Sequence, residues 1–419
     1  MLNSHIVRKI AVVFAGTALS RAVSFITMLL MVRSFMPEDF ALYAIVDMVI
    51  GFTTGAVTTG ANWMMIRSVS RNGIENSERV IKSSLLYQST YAAIIAILIY
   101  AYARYIASVI LNKPDSIEYV RIAAFGVIGH VLFAFRSSLY QSAKRFQSDA
   151  KYNVISSTLF LLVVTSYIYL LNGRSMIPVC IAHVSVPAVV SIIALRKTMN
   201  IRIQSFKVHS VVSGMLVSLR KHNAQWLLVY SIMLWLNGHI HMIVITSYRP
   251  LEEIGVFTLA MKIYMMTMIV TNSVRTVLMP QLSSIANHSK IKEEIKKVLP
   301  ITTVIAITIL LIVPLLKPLI VPIIGTKYAD AVAPLSILLV GTGLATLLSP
   351  YVSALFSLGE YKIFATGGIA LVMSSIVLSM LFTTKYGGIA AAAVITSTYF
   401  LMNAYFTIAV AMRLKRADR

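Results

Sequence analysis

Twelve apolar stretches of at least nineteen residues run through this chain, at about 10–32, 40–66, 83–103, 119–140, 153–171, 175–195, 224–246, 254–279, 298–320, 331–356, 363–383 and 388–412. A helix needs roughly 20 apolar residues to cross the hydrocarbon of a bilayer, and a barrel strand only about ten. Lipid offers no partner for backbone N–H and C=O groups, so each stretch has to close its hydrogen bonds within itself as a helix. The expected fold class is therefore an all-α polytopic membrane protein of about 12 transmembrane helices. Only 12% of the residues are charged and 58% are apolar, with a mean hydropathy of +0.81. A soluble domain carries about a quarter charged residues. The one cysteine, Cys180, excludes an internal disulfide. The first stretch follows Arg8 and Lys9 but is too long for a signal peptide, and it reads as an uncleaved span.

The basic residues orient the chain. The net charge is +22, from 37 Lys+Arg against 15 Asp+Glu. With the N-terminus in the cytoplasm, twenty-five bases fall on inner segments, Arg275 among them, and nine on outer ones. Arg21, Arg136 and Lys262 lie within spans. The acids divide evenly, and they have little say in topology. Both termini are then cytoplasmic, and the basic excess needs no nucleic acid to explain it. It suits anionic lipid instead. No loop has room for a soluble catalytic domain, and no GxxxxGK[ST] run marks a nucleotide site.

The longest connection divides the chain into an N-terminal six-helix bundle over 1–195, a basic cytoplasmic linker over 196–223 and a C-terminal six-helix bundle over 224–419. Val211, Val212, Met215, Leu216 and Leu219 recur in the linker at helical spacing, as in an amphipathic helix on the inner leaflet. The halves also echo each other. Glu38-Asp39-Phe40-Ala41-Leu42-Tyr43 and Glu252-Glu253-Ile254-Gly255-Val256-Phe257 coincide on a shift of 214 residues. Six spans per half make the repeats parallel, a design that places a substrate site in a central cavity between halves.

Charges within a bilayer are costly and normally face protein or a wet cavity. Arg21 is expected ~16 Å from the inner face, and Asp47 and Lys262 ~10–12 Å from the outer one. Asp47, Gly51, Thr54 and Thr58 share one face of span 2. Asp47 is the only carboxylate inside a span. It either neutralises Arg21 or Lys262 as helix glue or binds a coupling ion. Two bases against one acid leave a positive surplus, which suits an anionic cargo. Arg136, about one turn from the inner end of span 4, either snorkels or meets that cargo. Asn237 and His241 of span 7 are read as polar lumen contacts or interhelical hydrogen bonds. His239 and His241 are two apart and cannot share a metal from one helix, so no metal site is expected. His130, His183 and Cys180 read as buried helix residues. Pro178, Pro187, Pro314, Pro318 and Pro322 read as bends or ends of spans 6 and 9, and Tyr100, Tyr102 and Tyr105 as interfacial anchors.

Five runs carry a family resemblance: Ser20-Arg21 with Arg33 to Tyr43, Glu252 to Ala260, Gly325 to Leu335, Leu358 to Lys362, and Lys385 to Ala391. In that order they resemble the multidrug/oligosaccharidyl-lipid/polysaccharide (MOP) exporter superfamily, and within it the Wzx-type O-antigen and polysaccharide flippases. The resemblance implies a secondary transporter, not an enzyme. It would move an undecaprenyl-pyrophosphate-linked oligosaccharide across a bacterial cytoplasmic (inner) membrane by alternating access. Arg21, Lys262, Arg136, Thr54, Thr58, Asn237 and His241 would meet the cargo. Asp47 would take H⁺ or Na⁺, with no other cofactor, and polymerase or chain-length proteins would be partners. The sequence departs from the family at Asn237-Gly-His-Ile-His241, where members often carry an acid. A multidrug exporter of the same superfamily, a membrane-embedded glycan polymerase and a peptidoglycan-precursor flippase remain as alternatives.

Overall fold

A computed structural model describes residues 4–73, 75–143, 145–198, 224–283, 285 and 288–417. Among them there is no strand. The long helices are α1 (Ser4–Ser34), α2 (Pro37–Asn72), α3 (Glu78–Ala101), α4 (Ile117–Ser142), α5 (Phe146–Tyr169), α6 (Ile177–Thr198), α7 (Ala224–Tyr248), α8 (Leu251–Ser283), α9 (His288–Ile312), α10 (Val332–Ser357), α11 (Tyr361–Leu378) and α12 (Thr384–Ala417). Each predicted span overlaps one of them, and 298–320 and 363–383 run on past the ends of α9 and α11. Ten stretches among the described residues are apolar and long enough to cross a membrane, and one of these, Tyr361–Lys415, holds both α11 and α12. With α1, itself 31 residues long, twelve long helices lie among the described residues. The expected amphipathic helix at Val211–Leu219 lies outside the described residues.

Local breaks follow the sequence. Pro187 lies inside α6, and α9 runs into a 3₁₀ turn at Val313–Leu315 and a short helix at Leu316–Ile324. Those two segments hold Pro314, Pro318 and Pro322, whose rings cannot donate to a helical ladder. A π turn at Ser379–Thr383 joins α11 to α12. Large apolar side chains such as Leu98, Leu171, Val304 and Leu311 point outward, as a lipid-facing surface requires. Many interior hydroxyls bond back to a carbonyl one turn earlier on their own helix, for example Ser191 to Pro187 and Thr398 to Val394.

The chain forms two compact units, Met1–Ser218 and Leu219–Arg419. Within the first, α4 is the hub and packs on α2, α3 and α6, while α5 packs on α1 and α6. Within the second, α10 packs on α8, α9 and α12, while α11 packs on α7 and α12. The second scheme is the first with every helix number raised by six, so the repeat seen in two short motifs extends to the packing of each core. Small residues let the hubs approach their neighbours. A Cβ on Gly129 of α4 would lie 2.7 Å from the Ala188 Cβ of α6, and one on Gly341 of α10 would lie 2.8 Å from the Thr396 Oγ1 of α12.

The acidic turn before span 8 and the Lys385-Tyr-Gly-Gly run meet in space. Glu253 accepts a hydrogen bond from Arg249 Nε (2.6 Å) and another from the Gly388 backbone N–H (2.7 Å). Gly387 has φ +64°, and a Cβ there would fall 1.5 Å from Glu253 Oε1. Only glycine combines that backbone with that neighbour. The Glu253 carboxylate thus latches the start of α8 to the kinked start of α12.

Candidate functional site

In the N-terminal unit the polar residues gather at two places. The first surrounds Asp47. Its Oδ1 lies 3.3 Å from Nε2 of His183 on α6, and Nδ1 of His183 lies 3.3 Å from the Tyr43 hydroxyl, one turn before Asp47 on α2. Nε2 of His130 on α4 donates to the His183 carbonyl oxygen at 3.3 Å. The ring centroids of Tyr43, His130 and Phe160 stand 5.0, 5.1 and 5.7 Å from that of His183. The Asp47 side chain is 39% exposed within its unit, whereas His183 is mostly covered. A carboxylate, an imidazole and a phenol in series can hold a proton or pass one on. Sequence reasoning took His183 for a plain core residue and sought Asp47's partner among the bases. The spacing of 136 residues between them gave no signal. Thr58, on the same helix, donates to the Thr54 carbonyl at 2.8 Å.

The second place surrounds Arg136, which is fully buried. Its Nη2 donates to Asn153 Oδ1 at 2.5 Å and lies 3.5 Å from Asp149 Oδ1. The guanidinium also sits 4.5 Å from the Phe133 ring centroid. Asp149 further accepts from Ser137 Oγ and Gln141 Nε2, both at 3.0 Å. Arg136 therefore does not snorkel. It is the centre of an ion-pair network tying α4 to α5. Arg21, on α1, is exposed within the unit and makes no ion pair with a described residue.

In the C-terminal unit, Lys262 is half-buried on α8. His241 is buried on α7, and its Nδ1 is 3.1 Å from Ser379 Oγ in the π turn, an interhelical contact. Asn237, one turn earlier, is fully buried beside Tyr399 of α12. Tyr399 lines a cavity of about 150 Å³ among α7, α8, α10 and α12, together with Tyr230, Tyr264, Thr396, Asn403 and Arg275. Arg275 is thus within the bundle, not on the inner flank where the charge count placed it. Its position inside the apolar stretch 254–279 was the available signal.

A model of the polysaccharide biosynthesis protein family matches residues 30–333. The chain belongs to this family. No curated protein matches the sequence. Solved structures share the fold at low identity. A lipid II flippase, MurJ, in an inward closed conformation superposes with a TM-score of 0.77 at 14% identity, over 95% of this chain and 87% of that one. An inward-facing multidrug resistance MATE transporter of the MOP superfamily gives 0.73 at 14%, over 97% and 99%. A MOP-superfamily transporter from Pyrococcus furiosus, described as having a binding pocket of reversed polarity, gives 0.65 at 15%, over 99% and 96%. The chain shares the fold of these structures, the fold that the five sequence runs implied. Its long apolar helices make it a multi-pass membrane protein.

Proposed function

We propose that the chain is a flippase that carries an undecaprenyl-pyrophosphate-linked oligosaccharide, an O-antigen or capsule repeat unit, from the cytoplasmic to the periplasmic leaflet of a bacterial inner membrane. The observation that carries this reading is the coincidence of a polysaccharide-biosynthesis family match with the fold of a lipid II flippase. Alternating access would come from rocking of the six-helix units about a cavity. Arg21 and Lys262 would attract the pyrophosphate, while Thr54, Thr58, Asn237 and His241 would line the path of the glycan. Arg136 is assigned to structure, because Asp149 and Asn153 already hold it. Asp47 and His183 would take the coupling ion, H⁺ or Na⁺. Anionic lipid would meet the basic inner surface, and a polymerase or chain-length protein would receive the product.

The test is complementation of a strain lacking the gene, scored by surface glycan on gels and by resistance to organic cations. Restored glycan with unchanged drug resistance supports the reading. Restored drug resistance without glycan overturns it in favour of the multidrug exporter.

A further inference from the structure

We infer that the cavity around Arg275 is a phosphoryl-oxyanion site inside the C-terminal unit. The inference rests on the flippase reading only for where the anion comes from, not for the site itself.

Three observations carry it. First, Arg275 has no counter-charge among the described residues. Its only hydrogen bond to a described residue is a long one, Nη2 to Asn403 Oδ1 at 3.5 Å, and its Nε is buried without a partner. The helices that wall the cavity cannot supply an acid from sequence. There is no Asp or Glu in α7, in α10, in α12, or in α8 beyond Glu253. Glu253 is twenty-two residues away, about 33 Å along a helix, and is already engaged by Arg249 and Gly388. A guanidinium stays protonated in any protein environment, so an unpaired one in an apolar bundle calls for an anion.

Second, the other polar walls include phenolic hydroxyls that can donate. Tyr230, Tyr264 and Tyr399 line the space, and neither the Tyr230 nor the Tyr264 hydroxyl hydrogen-bonds to a described residue. Asn403 donates its own amide to the Tyr399 carbonyl at 2.8 Å, which fixes its oxygen toward Arg275 and makes it a positioning residue. A planar fork with phenolic donors around it matches the oxygens of a phosphoryl group.

Third, the size is selective. A cavity of this volume takes a molecule about as large as benzene, so one phosphoryl group fits and an oligosaccharide does not. Arg275 sits eight residues before the end of α8, ~12 Å along the helix from the bundle end where α7 begins. By the charge count that end is cytoplasmic, so the anion would enter from the inner leaflet. It comes either from the lipid-linked cargo or from the headgroup of an anionic phospholipid.

The experiment uses the purified full-length protein in neutral detergent without phosphate or other oxyanions. Melting is followed by intrinsic fluorescence, with inorganic pyrophosphate, undecaprenyl pyrophosphate and phosphatidylglycerol added separately. The expected results are a dose-dependent rise in melting temperature for wild type, and an apparent affinity at least about tenfold weaker in Arg275→Gln. Without anion, Arg275→Gln should melt no lower than wild type, because it removes an unpaired charge, whereas a merely structural arginine would make it melt lower. Should Arg275→Gln fail to fold, Tyr264→Phe and Tyr230→Phe each replace it and should weaken pyrophosphate severalfold. Stabilisation by undecaprenyl pyrophosphate but not phosphatidylglycerol assigns the site to cargo, and the reverse assigns it to membrane lipid. If none of the three anions stabilises wild type, or if the shift is equal in Arg275→Gln, the site is refuted. Arg275-dependent binding without restored surface glycan would leave the site standing and overturn the flippase reading. Restored glycan without such binding would do the opposite.

Discussion

Removing the acid from the Arg136–Asp149 pair should damage the N-terminal unit more than removing both charges. Arg136 is completely buried, and Asp149 is nearly so. At 3.5 Å and an effective dielectric of ~20, the bare attraction is about 5 kcal/mol. Desolvation offsets much of that in the intact pair, but Asp149→Asn leaves a guanidinium that can neither reach water nor lose its proton. Breaking a buried pair this way costs roughly 3–5 kcal/mol. At about 2–4 °C per kcal/mol for a body of some two hundred residues, melting should fall by roughly 6–20 °C. The double substitution Arg136→Met with Asp149→Asn removes the stranded charge and should recover at least half of the loss. The assay is thermal unfolding of the three variants and wild type in one detergent, read by intrinsic fluorescence. An unchanged melting point in Asp149→Asn, or a double variant no better than the single, would refute the reasoning. If Arg136→Met melted normally and yet abolished surface glycan, the arginine would belong to the cargo path.

Gly387→Ala should lower the melting temperature of the protein by several degrees, since it forces an L side chain into a positive-φ position against the Glu253 carboxylate; an unchanged melting curve would mean that the latch is absent. Thr271→Val should cost about 1 kcal/mol, because the buried hydroxyl faces Thr346 at 2.7 Å, and the double variant with Thr346→Val should cost less than the two singles together. Asp47→Asn and His183→Gln should each reduce ion-driven transport in proteoliposomes by at least about tenfold, with melting changed by no more than a few degrees. Full transport by both variants would remove this pair from coupling.

The fold was legible because the bilayer turns sequence into structure through one rule. A stretch of apolar residues must be a helix, and its length sets its span. The predicted start of span 12 at 388 falls one residue beyond the kink at Gly387, although the kink itself was not foreseen. The sites were less legible, because partners in them are brought together by packing rather than by spacing. Asp47 was marked as unusual by its charge alone, but nothing near it in sequence named His183. Arg136 looked like a snorkelling cation until Asp149, thirteen residues on and beyond the next turn, proved to be folded back against it. Arg275 was hidden by its closeness to a basic loop, and its place in the cavity wall revealed it.

The Glu253 latch has a mechanical consequence. It clamps the starts of α8 and α12, the two helices that carry Arg275, Tyr264, Tyr399 and Asn403. Like the arms of tweezers joined at one end, the pair can widen only at the opposite end, so any enlargement of the chamber between them has the carboxylate as its fulcrum.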